Sequence, residues 1–221
     1  MGPPRVLRRL RGPDLPARLR VLRALEGRVR GRAIGGVAWN WLVALGLVTL
    51  AVLGGTCRDV DRASLDAAQA LHSPALDLAA SVVGLLGTAE VTAGIALGIA
   101  VARFRRYPRD ALIPLFIVAT VIAEALLKLL VPQLPPPHER SRTVELLPFL
   151  HVPFVNSFPS GHVARVAFLL RIVRGVPVWA VAAGIVLMTA TRLYLGEHWL
   201  SDAIGGALLG LGVANVARRL A

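Results

Sequence analysis

Cysteine and lysine each occur once in these 221 residues, aromatic residues make up 5%, and Asp plus Glu number 13 against 25 Lys plus Arg. The lone Cys57 rules out an intrachain disulfide, and the Gly54-Gly55-Thr56 before it does not resemble a lipoprotein cleavage site. With no cysteine set and few carboxylates or histidines in any one stretch, the chain offers no ligand pattern for a metal, and no cofactor is expected. A net charge of +12 raises nucleic acid as a partner, but the arginines sit in tracts flanking apolar runs and are not interleaved with aromatics, so none is expected. No short apolar core interrupts the arginines of the first thirty-odd residues, which argues against a cleaved signal peptide.

What the chain has in excess is apolar sequence. Hydrophobic residues make up 55%, charged residues 17%, and mean hydropathy is +0.63. Runs such as Ile34 to Gly55 and Pro177 to Leu195 reach the roughly 20 residues that cross about 30 Å of hydrocarbon as a helix. The expected fold is therefore all-α, a polytopic six-transmembrane-helix bundle, with spans near 34–55, 75–102, 111–131, 160–174, 176–195 and 199–217. The fourth is short and carries Arg165. Two regions follow: a basic segment over 1–33, in which Leu15, Leu19, Leu22, Leu25 and Val29 recur at helical spacing, and a membrane domain over 34–219. That segment reads as an amphipathic helix on the anionic cytoplasmic leaflet or as a plain basic tail.

Orientation comes from the arginines, because short loops rich in them stay cytoplasmic. The N-terminal tract, the 103–109 loop, the Arg171 and Arg174 turn and the Arg218-Arg219 tail fall on one side under six-span parity. Both termini are then expected in the cytoplasm of a multi-pass cell-membrane protein. The 56–74 and 132–159 loops and the 196–198 turn face the other way. Pro132, Pro135, Pro136 and Pro137 end the third span and open the longer loop.

Three clusters carry chemistry. Lys128 ends the third span with Glu124 one turn earlier, an i,i+4 pair that on its own neutralises both groups. Phe158-Pro159-Ser160-Gly161-His162 opens the fourth span, where a helix N-terminus with a glycine accepts an anion closely; in isolation it is equally a capped interfacial helix. Thr191 to Asp202 crosses the last turn. There the four-residue spacing lets Asp202 hold one nitrogen of His198 and leave the other free to attack, with Arg192 nearby. Parity places Lys128, Ser160, Arg192 and His198 on the extracytoplasmic side, where two cations, a helix end and two imidazoles form a site for an oxyanion.

In order and spacing these clusters resemble the type 2 phosphatidic acid phosphatase superfamily, whose motifs are Lys-x6-Arg-Pro, Pro-Ser-Gly-His and Ser-Arg-x5-His-x3-Asp. Pro159 to His162 match the second motif completely. Arg192, His198 and Asp202 match the third, with Thr191 in place of serine. The first is incomplete, since the arginine position holds Pro135; Arg140 or Arg142 in the same loop would have to replace it.

The resemblance implies a metal-independent lipid phosphate phosphatase. His198 would attack phosphorus to give a phosphohistidine, Asp202 would orient it, and His162 would protonate the leaving alkoxide. Lys128, Ser160, Gly161 and Arg192 would bind the phosphate. Its partners would be the bilayer and a membrane lipid phosphate: a polyprenyl diphosphate, phosphatidic acid or phosphatidylglycerol phosphate. The alternatives are a lipid phosphotransferase on the same residues, or a non-catalytic lipid-binding or transport relative whose Glu90, Glu124 and Arg165 line a polar path. Tyr194, Glu197 and Trp199 flank the site. The oligomeric state is not legible.

Overall fold

The computed structural model describes residues 40–105, 107–108, 110–146 and 154–220, with helices, turns and loops but no strand among them. The basic segment over 1–33 and His151 lie outside the described residues. Among the described residues eight α-helices follow one another: α1 (Asn40–Leu53), α2 (Arg58–Gln69), α3 (Pro74–Leu85), α4 (Ala89–Phe104), α5 (Ile117–Leu130), α6 (Gly161–Ile172), α7 (Val178–Tyr194) and α8 (Leu200–Leu220).

Local chemistry explains the breaks. Ser73 caps α3 by accepting the Leu76 N–H at 3.3 Å, with Pro74 preset in the first helical position. The expected 75–102 span is not one rod: α3 and α4 meet at 44° across residues 86–88. Between α1 and α2 the chain turns by 94°, with Gly55 at φ 68 in the left-handed region where a side chain would be strained. Pro114 lacks an N–H for the α ladder, and the stretch Asp110–Phe116 before α5 is accordingly a 3-10 helix.

This is a membrane protein. Asp110–Leu130 and Leu200–Leu220 are continuous helices long and apolar enough to cross a bilayer, and the two bent pairs satisfy the same test if each is one span. Leu47 and Leu50 on α1, Ile122, Leu126 and Leu129 on α5, and Val186 and Leu187 on α7 point outward, an arrangement that suits a lipid solvent. α7 has 17 residues and α6 only 12, about 18 Å of helix.

The short helix faces protein. Val163, Ala164, Ala167 and Phe168 of α6 are wholly buried, so α6 is the central element and its Arg165 meets a carboxylate inside the bundle, where lipid would have penalised it. α8 lies directly against it. Side-chain carbons added at Gly206 and Gly210 would collide with the backbone carbonyls of Ser160 and Ala164, and one at Gly205 would strike the Phe158 ring. These glycines let two helices touch main chain to main chain, the small-xxx-small logic of membrane packing. That contact fixes the start of α6 beside the start of α8.

Candidate active site

The two helix N-termini at this end of the bundle are treated differently. At α8, Asp202 Oδ2 accepts the Trp199 N–H at 3.0 Å, and Asp61 of α2 accepts the Ser201 N–H through Oδ1 and the Ser201 hydroxyl through Oδ2, both at 2.8 Å. Two carboxylates thus occupy its positive end. At α6, Ser160 makes no capping bond; its Oγ is buried and has no partner among the described residues. The first-turn N–H groups that a helix leaves unspent have no serine cap here, where the Glu124 carboxylate of α5 lies against Gly161, whereas at α8 two carboxylates bond the helix start directly.

Removing the Asp61 carboxylate leaves the Ser201 N–H and hydroxyl without their acceptor. Asp61→Ala is expected to cost about 1–3 kcal/mol, read as a lower Tm of the detergent-solubilised protein.

Around the open end stand the residues singled out from sequence. His198 Nδ1 lies 3.2 Å from Asp202 Oδ2. Asp202 is wholly buried, its main-chain carbonyl accepts the Ser160 N–H at 2.9 Å, and its Oδ1 has no partner among the described residues. One residue therefore joins the imidazole of the last motif to the serine of the second. Arg192, at the end of α7, is buried with its Nε unpartnered among the described residues; its Nη2 is 3.5 Å from Glu197 Oε2. Gly161 lies under the carboxylate of Glu124, and Lys128 Nζ is 3.8 Å from that carboxylate and 5.3 Å from the centre of the Phe154 ring.

His162 packs on Gly87 at the α3–α4 break, where an added Cβ would stand 2.9 Å from its ring. The end of α5 thus meets the start of α6, which meets the start of α8, and the end of α7 leads into α8 through the turn that carries His198. Tyr194 donates to Asp77 at 2.5 Å, and the Trp199 indole donates to the Leu134 carbonyl at 2.7 Å.

Burial, above all, holds the His198 imidazole below its ordinary pKa. The hydrogen bond and charge of Asp202 pull it up, while Lys128 and Arg192 push it further down. Burial pushes Glu197 upward, but the Arg192 charge and the Thr143 and Ser141 hydroxyls overcome this and leave it below the usual carboxylate value. Those hydroxyls bond Glu197 Oε1 at 2.6 and 2.8 Å, tying the 138–146 segment to the Arg192 turn.

The two loop arginines go elsewhere first. Arg140 is bound to Asp66 and, through Nε at 2.9 Å, to Gln69 of α2. Its partner Arg142 donates its main-chain N–H to the Leu195 carbonyl at 2.9 Å and keeps a buried Nε without a partner among the described residues. Both line an open cavity of about 280 Å³ with Asp66, Gln69, His72 and Glu139. Pro135 is exposed.

Sequence reasoning missed three contributors: Asp61, the Gly87 carbonyl, and Arg165 as the tight partner of Glu124 at 2.6 Å. Only the last left a signal, as an arginine inside an apolar run. Among the described residues no three His, Cys, Asp or Glu side chains cluster as a metal-ligand set.

Fold and site together define a helical membrane protein with a buried, cation-lined cradle beside a carboxylate-held histidine. The chain belongs to the PAP2 superfamily, whose family model matches residues 110–221. No curated protein sequence matches it. Among solved structures it is similar to the first transmembrane PAP2 type phosphatidylglycerolphosphate phosphatase from Bacillus subtilis, at 23% identity and a TM-score of 0.63 over 80% of this chain and 94% of that one. It is also similar to Aquifex aeolicus LpxE, at 19% identity and a TM-score of 0.55 over 72% and 95% of the respective chains.

Proposed function

We propose that this protein is a lipid phosphate phosphatase that works through a phosphohistidine on His198. The observation that carries the reading is the pairing of His198 with the buried Asp202 directly beside an uncapped α6, whose Ser160 hydroxyl has no partner among the described residues. A carboxylate on Nδ1 favours the tautomer with hydrogen there, leaving Nε2 as the attacking lone pair. Asp202 then stabilises the imidazolium that forms as the P–N bond is made and the P–O bond to the lipid alcohol breaks.

His162 is the group we assign to protonate the leaving oxygen, since it sits in the first turn of the same helix that would hold the phosphate. Lys128, Ser160, the Gly161 N–H and Arg192 would stabilise the equatorial oxygens, and water would then release phosphate from His198. Of the loop arginines, Arg142 is the one with a buried donor that has no partner among the described residues, and we assign it the part that Pro135 cannot play.

The bilayer supplies the substrate class. A helix of about 18 Å falls short of the roughly 30 Å hydrocarbon thickness, so a phosphate binding at its N-terminus would keep its tail in lipid. A polyprenyl diphosphate, phosphatidic acid and phosphatidylglycerol phosphate all meet that requirement. Our topology is six spans with both termini cytoplasmic and the site extracytoplasmic. The test is phosphate release from these three lipids in mixed micelles, with and without chelator. Release unaffected by chelator supports the reading, and none from any of the three overturns it. Transfer to an added lipid alcohol in place of water would make the enzyme a phosphotransferase.

The pH dependence follows from His198. Its lowered pKa keeps the ring neutral, and therefore nucleophilic, further into acid than a free imidazole. Activity is present above the folded pKa and lost as pH falls through it. The acid limb of the kcat/KM profile is therefore expected below about 6.5, the ordinary imidazole value. A limb at or above that value would contradict the assignment.

A further inference from the structure

Glu124 divides its two oxygens between two cations. Oε2 accepts a charge-assisted hydrogen bond from Arg165 Nη1 at 2.6 Å, whereas Oε1 is 3.8 Å from Lys128 Nζ, beyond hydrogen-bond reach. Arg165 is fixed from a second side by the Gly87 carbonyl, which accepts its Nε–H at 3.0 Å. All three charged side chains are buried, and the carboxylate lies against Gly161 at the mouth of the uncapped α6.

That placement sets a problem. A carboxylate at a helix N-terminus occupies the positive end that an incoming phosphate needs, and at i,i+4 it also claims the charge of Lys128. If Glu124 had only Lys128 for a partner, the floor of the cradle would carry no net charge and would present an anion to an anion. With Arg165 as the tight counter-ion, two cations share one carboxylate, and the loosely held Lys128 keeps a positive charge to offer.

We infer that Arg165 is a positioning residue of the phosphate cradle: by binding Glu124 it releases Lys128 and the α6 N-terminus to a phosphoryl group. The inference rests on the phosphatase reading above. It also accounts for a floor that remains cationic although Pro135 stands where an arginine is expected. Arg165 acts through Glu124 and makes no contact with substrate in this account.

Equilibrium binding of radiolabelled inorganic phosphate to the full chain in detergent micelles tests it without relying on turnover. Arg165→Gln is expected to weaken binding about tenfold or more, because one unit of buried charge beside the site is lost. Arg165→Lys, which keeps the charge, should stay within a few-fold of the unsubstituted protein. The double variant Glu124→Gln/Arg165→Gln removes cation and anion together and should recover most of the lost affinity.

Because removing both charges of a buried pair also restores stability, binding is compared only among variants that elute as the folded species, so that the recovery reports charge beside the site and not folded protein regained. If Arg165→Gln does not fold, the lysine variant and the double variant, neither of which leaves Glu124 facing Lys128 alone, decide the matter. Binding by Arg165→Gln equal to that of the unsubstituted protein, or a double variant no better than the single one, overturns this inference alone. Failure of the unsubstituted protein to bind phosphate overturns the phosphatase reading together with it.

Discussion

His198→Ala is expected to lower phosphate release by at least about a thousandfold while the protein elutes as a folded species from a detergent column. The side chain is the partner of Asp202 and lies in the turn between α7 and α8, outside both helices, so its removal leaves no helix uncapped. The α8 start keeps the Trp199 and Ser201 bonds to Asp202 and Asp61. Chemistry is therefore lost without loss of architecture. A second readout is the covalent intermediate: acid-labile phosphate trapped on the unsubstituted protein should be absent from the variant. Activity within tenfold of the unsubstituted protein would show that another group attacks phosphorus.

The largest effect on stability is expected at Gly206 and Gly210. Gly206→Val or Gly210→Val should destabilise the protein by more than about 3 kcal/mol, seen as aggregation or a sharply lowered Tm in detergent. The reason is the atom each side chain would meet. Added carbons there run into the main-chain carbonyls of Ser160 and Ala164, which cannot rotate aside as a side chain can, so the helices must part. Gly212 of the same helix supplies the control. An added Cβ there stands 3.6 Å from Trp41, ordinary contact distance, and Gly212→Ala is expected to change Tm little.

How much was readable in advance depends on range. The second and third clusters are local patterns: Pro159 to His162 and His198 to Asp202 lie within a few residues on one helix start, and the structure brings each together. The expectation that Lys128, Ser160, Arg192 and His198 share a face rests on six-span parity, which puts alternate helix ends on one side; the structure shows Glu124, one turn from Lys128, against Gly161, and Ser160 bonded to the Asp202 that holds His198. The bend between α3 and α4 was not, since Leu86, Gly87 and Thr88 interrupt no apolar run and hydropathy passes straight over them. The capping of α8 by Asp61 was equally hidden, because 140 residues separate it from Ser201 and no spacing rule connects a loop-proximal aspartate to a distant N–H. Glu124 was half legible. Its i,i+4 relation to Lys128 is a sequence fact, but its tighter bond goes to Arg165, 41 positions away. Proximity along the helix therefore named the weaker of its two partners.

The glycine face of α8 has a mechanical consequence for how substrates can be told apart. Two helices in main-chain contact cannot slide or splay without breaking that contact. The start of α6 and the start of α8, which carries the Asp202 partner of His198, therefore travel as one stiff piece. Under the proposed phosphatase reading, adjustment to different headgroups would fall to the remaining wall, formed by the kinked α3–α4 pair and the hydroxyl-pinned segment over 138–146, and exchanging that segment between relatives is expected to alter which lipid phosphates are accepted while leaving phosphate release intact.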